Sequence, residues 1–337
     1  MIRQRPLGSL GLLLLCIWII SLFSGRMGIY PGEVATWCLD WMQGQGGVDV
    51  WGPKSLVFFH VRLPRSLVAL CMGTGLALSG AVYQGIFRNP LVSPDILGVS
   101  AGCAFGAAVG LILPGHQFTL IRLLAFAAGI SAVGLALSIA KAVAVRPILV
   151  LILAGLVVSS LFNALLMLLK YTADPYSQLP AIVFWIMGSL HRASWADVRL
   201  IAPIILAGSA ILHLLRFKLN VLSLGDVQAT SLGLNPRLYR LGFISISSLM
   251  VAVTVSACGQ IGWIGLVIPH MARSLVGPDH RIMLPTTALM GGIFLLGADL
   301  LARSLTTAEL PVSILTALIG GPLFALMLYI NRARGWV

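Results

Sequence analysis

Long apolar stretches separated by short polar ones run through the whole chain, at about 8–25, 65–86, 93–113, 119–140, 148–170, 198–216, 239–257, 260–274, 283–303 and 311–331. Each is close to the ~20 residues that an α-helix needs to cross ~30 Å of hydrocarbon. In lipid every backbone amide must find its partner within the protein, so only helices and closed barrels span a bilayer. A barrel would show roughly 10-residue segments of alternating polarity, and no such alternation is present. The pattern predicts an all-α membrane protein, about ten transmembrane helices in one bundle, forming a single transmembrane domain over 1–337.

Three interruptions are long enough to fold. The first is 27–60. The second, 171–197, carries Asp174, Pro175, Pro180 and the amphipathic piece Val183–Leu190, which predicts a short helix over about 178–192 lying on the membrane. The third, 217–238, reads as helix, turn, helix: Ser223 caps a short helix through Leu232, Gly233 closes it, and Asn235-Pro236 opens the next span.

Charge adds the orientation. The 22 Lys and Arg against 10 Asp and Glu give a net +12, dispersed between apolar runs rather than gathered into a patch for nucleic acid. With the N-terminus in the cytoplasm, Arg26, Lys54, Arg62, Arg65, Arg122, Lys170, Arg192, Arg199 and Arg303 fall outside and the other thirteen inside. That bias favours both termini in the cytoplasm, with 27–60 and 171–197 outside and 217–238 inside. Arg62, Arg65 and Arg303 run against the bias at span ends, which implies something acidic to meet them.

Composition agrees: 58% of residues are hydrophobic and 9% charged, against roughly 25% charged in a soluble domain. Five widely spaced cysteines read as small core residues rather than a disulfide or metal set. Arg3 and Arg5 before Leu10–Ile20 resemble a signal peptide, but the run continues to Phe23 without a small-x-small site, so an uncleaved first span is expected. Gly98, Gly102, Gly106 and Gly110 share one helical face and invite close helix approach. Helices that slide and helices that merely pack densely remain equal readings of the 36 glycines.

The chemistry of the side chains excludes more than it assigns. None of Lys54, Lys141, Lys170 and Lys218 follows a glycine, so no phosphate loop is present. The six histidines are scattered, with no HExxH or GxSxG, so no catalytic or metal residue is assigned. Asp299, the one acid deep in a span, is either a coupling carboxylate or a structural partner of a neighbouring helix. Gly155, Ser159 and Asn163, at i, i+4 and i+8, give the fifth span a mildly polar side that either borders a water-filled path or bonds to another helix.

Four ordered segments resemble the FecCD/BtuC-type ABC transporter permease family, importers of iron-siderophores, haem, cobalamin and related metal chelates. They are Val61-Arg-Leu-Pro-Arg65 leading to Gly73–Gly80, Gln84, Arg88-Asn-Pro-Leu91 and Pro94–Gly102; Trp185–Gly188 with Trp195; Leu224-Gly225 with Leu232-Gly-Leu234; and Gly259–Arg273 followed by Asp299 and Glu309-Leu-Pro311. The match covers nearly the whole chain.

The resemblance implies a multi-pass subunit of the bacterial inner membrane that pairs with a second permease, expected to be identical, and with two cytoplasmic ATPases and a periplasmic binding protein. Leu224, Gly225, Asp226, Ala229, Leu232, Gly233 and Leu234 would couple to the ATPase. Arg62, Arg65 and Arg303 would dock glutamates of the binding protein, and Gly155, Ser159 and Asn163 would line the path. Gln84, Asn89 and His270 fall in structural or gating motifs. The chain itself would bind no cofactor and be no enzyme, with ATP and Mg on the partner ATPase. The expected cargo is an Fe(III)-siderophore, with haem, cobalamin or molybdate as alternatives. A secondary transporter or channel is the second class of function and a membrane enzyme the third.

Overall fold

The computed structural model describes residues 5–44, 46–47, 51–115, 117–143, 147–306 and 309–331 of the chain. Arg3, Arg146, Arg332 and Arg334, four of the basic residues assigned to the inside, lie outside the described residues. Among the described residues there are fourteen helices and no strand.

The first helices are α1 (Arg5–Phe23), α2 (Pro31–Met42) and α3 (Pro53–Phe87), the last loosened into wide turns over Val57–Arg62. Then come α4 (Val99–Ile112), α5 (Phe118–Val143), α6 (Pro147–Thr172), the short α7 (Gln178–Ile186) and α8 (Trp195–Leu214). The knob pair α9 (Arg216–Leu224) and α10 (Asp226–Ser231) leads to α11 (Pro236–Cys258), α12 (Ile264–Val276), α13 (His280–Ser304) and α14 (Val312–Asn331).

Every expected span contains a helix, and seven are long and apolar enough to cross a membrane unaided: α3, α5, α6, α8, α11, α13 and α14. α3 is the axis. It packs against α1, α8, α11, α12 and α13, and with α11 and α13 it forms a largely buried inner set around which α5, α6, α8 and α14 stand at the periphery. In water that exposed apolar surface would be untenable; in a bilayer it meets lipid or another subunit.

Glycines set the closest approaches. A Cβ on Gly102 would lie 2.5 Å from the Ala128 carbonyl oxygen and one on Gly106 would collide with that of Leu124, so the glycine face of α4 is the surface on which α5 lies. Gly98 departs from the stripe: it holds a left-handed φ of 82° ahead of α4 and faces Ser159 of α6.

Two expected spans are shorter than the apolar runs suggest. α4 has 14 residues and α12 has 13, or about 21 and 20 Å at ~1.5 Å per residue, too short for ~30 Å of hydrocarbon. The remainder of each run is irregular: 88–98, with a 3-10 turn at Pro94–Leu97, and 259–263, with Trp263 at φ 71°. Each break packs on the other's helix: a Cβ on Gly265 of α12 would press on Pro94 Cδ at 2.5 Å, and Gln260 Nε2 donates to the Ser100 carbonyl of α4 at 2.9 Å. Non-helical backbone at membrane depth survives only where protein or a cavity satisfies it, and the 88–98 break turns back on itself, with Ile96 N donating to the Ser93 carbonyl at 3.2 Å and Gly98 N to that of Asp95 at 2.8 Å.

The short helix expected over about 178–192 forms as α7 and ends at Ile186. It is braced by bonds. The Gly188 carbonyl accepts from Val312 N (3.2 Å), Ser189 N donates to the Cys258 carbonyl (2.8 Å), and Ser313 Oγ donates to the Met187 carbonyl. The five cysteines are free; Cys103 and Cys258 are core residues as expected, whereas Cys16 and Cys38 are exposed.

Candidate functional site

Chemistry-bearing side chains collect at the two ends of the bundle. At one end, assigned to the outside by the charge pattern, α1 finishes beside the starts of α3 and the end of α13. A helix leaves its last four carbonyls without partners in the helix. Here Ile20 is met by Ser24 N at 2.8 Å. Ser21 is met by Arg303 Nη2, and Leu22 and Phe23 both by Arg62 Nη1 at 3.1 Å. Arg62 Nη2 also donates to the Met27 carbonyl at 2.5 Å. Cations suit a helix C-terminus, where the backbone dipole is negative.

Arg65 completes the group. Its Nε and Nη2 lie 2.9 Å from Asp299 Oδ1, and its Nη1 lies 2.8 Å from Glu309 Oε2. Asp299 is 1% exposed and also faces Arg303 Nε at 3.8 Å; Glu309 is 40% exposed. Of the two readings left open for Asp299, this geometry gives it the structural one, the anion shared by two buried guanidiniums. Arg62, Arg65 and Arg303 do share a rim, but they are buried at 5%, 5% and 8% exposure with internal acceptors, not free at the surface.

At the opposite end the knob has the expected helix, turn, helix order with a different cap. Ser223 ends α9, its Oγ donating to the Asn220 carbonyl at 2.6 Å, and the turn falls at Gly225, whose φ of 125° excludes most side chains. Gly233 at φ 78° closes α10, and Asn235 Oδ1 accepts from Leu238 N at 3.3 Å to cap α11. Ala229 and Leu234 are buried inside the knob, and Asp226 is fixed by Arg240 Nη2 at 2.6 Å. Leu224, Val227 and Leu232 stand exposed. Apolar tips beyond a membrane end await a protein surface.

The knob is jointed to the bundle. Asn220 of α9 donates to Asp279 Oδ1 at 2.7 Å and accepts from His280 N at 2.9 Å, tying it to the first turn of α13. Hydrogen bonds lower the Asp279 carboxyl below its usual range despite partial burial. Asp279 in turn caps α13 through Arg281 N at 3.0 Å. No motif flags Asn220, because its partners lie about sixty residues away.

Between the ends, α6 sorts its three polar-face residues differently from one another. Gly155 is closed off against the Ile96 carbonyl, Ser159 abuts Gly98, and Asn163 alone is exposed. Nearby, Asp95 in the 88–98 break is exposed and accepts from Ser100 Oγ. Sequence reasoning also misses the pair of Arg122 with buried Asp197 at 2.8 Å, which locks α5 to the start of α8.

The described residues thus form a many-spanning helical bundle with a folded knob on one end and a charged rim on the other. The family model described as the FecCD transport family matches residues 13–330. The chain is 42% identical over 333 residues, 98% of its length and 97% of the relative's, to the molybdate import system permease protein of Haemophilus influenzae. It is 37% identical over 338 residues, 98% of each chain, to the hemin transport system permease protein of Yersinia pestis. A solved inward-facing conformation of an ABC transporter of the metal-chelate type superposes with a TM-score of 0.85 at 41% identity, over 96% of this chain and 99% of that one. The chain belongs to the FecCD transport family. It is therefore a permease subunit and not an enzyme: members act as permease dimers, and separate ATPase subunits hydrolyse the ATP.

Proposed function

We propose that this chain is half of the path of a binding-protein-dependent importer that carries a chelated metal, an Fe(III)-siderophore foremost, from periplasm to cytoplasm across a bacterial inner membrane. Two identical copies would enclose the path, with the exposed Asn163 of α6 facing it. A periplasmic binding protein would dock its acidic side chains at the rim of Arg62, Arg65 and Arg303. The knob, from Leu224 to Leu234, would seat in the ATPase, where ATP and Mg are held. The chain itself would hold no cofactor. ATP-driven closure of the ATPases would move the knobs, and Asn220 would pass that movement to α13.

The observation that carries the choice of cargo is Asp95. Its carboxylate is exposed at a break in the helices at membrane depth, where an ionisable side chain marks a path more often than a packing role. Two copies in a dimer would repel a free oxyanion and tolerate a chelate with a neutral or cationic periphery. The second reading, an oxyanion cargo, is favoured by the 42% identical molybdate relative. Proteoliposomes holding permease, ATPases and binding protein, offered ferric-siderophore, haem, cobalamin and molybdate in turn, separate the two. The first reading predicts that the unaltered protein carries chelate and not molybdate, and that Asp95→Asn leaves chelate uptake within about twofold. Concentrative molybdate uptake by the unaltered protein would refute it.

A further inference from the structure

The charged rim holds three guanidiniums and two carboxylates, and these are not equally available to a visitor. Arg62, through Nη1 and Nη2, and Arg303, through Nη2, donate to Ser21, Leu22, Phe23 and Met27 at and just past the α1 end, so drawing those nitrogens to a visitor means unfastening that helix end. Arg65 is held by two anions. One, Asp299, is 1% exposed and shared with Arg303, and removing it would leave buried charges uncompensated. The other, Glu309, is 40% exposed and touches one nitrogen, Nη1, at 2.8 Å.

Glu309 stands on the link between α13 and α14, whose backbone is pinned beside it by Leu310 N donating to the Ala302 carbonyl at 3.2 Å. Side-chain rotation alone would lift the Glu309 carboxylate off Arg65 while the main chain stays in place. Only the carboxylate side of the pair is open, Arg65 being 6% and Glu309 40% exposed, so a visiting carboxylate that replaces Glu309 leaves Arg65 paired and is close to an even exchange. Replacing Asp299 is not.

We propose that Glu309 is a resident stand-in for a carboxylate of the docking partner: it occupies Arg65 Nη1 until an acidic side chain from a periplasmic protein takes its place. Glu309 then sets the threshold for docking and keeps the unoccupied rim from collecting other anions. The proposal rests on the docking role given to Arg62, Arg65 and Arg303 above, and the test separates the two.

The permease with its ATPases in nanodiscs is titrated with the periplasmic binding protein that stimulates its ATPase activity, at low and at high salt, for the unaltered protein and for Glu309→Gln, Glu309→Asp and Arg303→Glu. In parallel, without the binding protein, the modification of Arg65 by phenylglyoxal is timed by mass spectrometry. Glu309→Gln should tighten binding by about two- to fivefold, more at low salt, and speed Arg65 modification; Glu309→Asp should leave both near the unaltered values. Arg303→Glu should weaken binding at least tenfold. Binding that Glu309→Gln leaves unchanged or weakens, with Arg303→Glu still disruptive, overturns the stand-in and keeps the docking role. Binding indifferent to Arg303→Glu overturns both, and Arg65 modification unaltered by Glu309→Gln overturns the stand-in whatever the titration shows.

Discussion

Asp299 shows how one side chain can organise a rim. It is almost wholly enclosed, faces Arg65 at 2.9 Å and Arg303 at 3.8 Å, and among the described residues is the only buried anion between them. Breaking a buried charge group by deleting one member costs about 3–5 kcal/mol. Asp299→Asn should therefore lower the thermal midpoint of the detergent-solubilised permease by several degrees, whereas Glu309→Gln, on the exposed side of the same arginine, should shift it by about one degree or less. The arginines are legible in sequence as basic residues placed against the positive-inside bias. Their partners are not, because Arg65 and Glu309 are 244 residues apart and only the closed bundle brings them together. Shorter but still long separations hide Arg122 with Asp197 and Asn220 with His280.

Helix α4 shows the same contrast at the scale of an element. Its glycine spacing predicts a close neighbour, and α5 is that neighbour, with the Leu124 carbonyl against Gly106. Gly106→Val should destabilise the protein by about 1–3 kcal/mol through overpacking. Gly134→Ala, on an open face of α5 with nothing within 4 Å, should change stability by less than about 1 kcal/mol; chemical denaturation in mixed micelles measures both. The helix breaks at 88–98 and 259–263 are not legible from hydropathy, since Pro, Gly and Ile there continue the apolar runs. They emerge only in the folded bundle, where each break packs on the other's helix. In the knob, the Leu-Gly and Leu-Gly-Leu pattern does reveal a turn between helices, but Ser223 looks like a cap because its hydroxyl could serve either helix, and the positive φ belongs to Gly225. Gly225→Asp and Leu232→Asp should keep ATPase activity in the assembled transporter and cut uptake per ATP by at least tenfold, read from coupled hydrolysis and uptake assays.

Across the whole molecule α13 joins the two ends. Its first turn is held by Asn220 of the knob helix and its last two turns carry Asp299 and Arg303 of the rim, in a helix of 25 residues or about 37 Å at ~1.5 Å per residue. An element fixed at both ends is suited to carrying a displacement from one end of the bundle to the other. The bundle of membrane helices is legible from the apolar runs, and membership of the FecCD transport family from ordered motifs; which molecule passes is not, because relatives that share those motifs are named for molybdate and for hemin alike. The central claim, that the chain is a passive path driven by a separate ATPase, is tested most directly by uptake into proteoliposomes containing the permease with or without its ATPase subunits, with binding protein and labelled ferric-siderophore outside and ATP inside. Accumulation that requires the ATPase, the binding protein and ATP together is the predicted result. Accumulation by the permease alone, driven by a proton or sodium gradient, would contradict it.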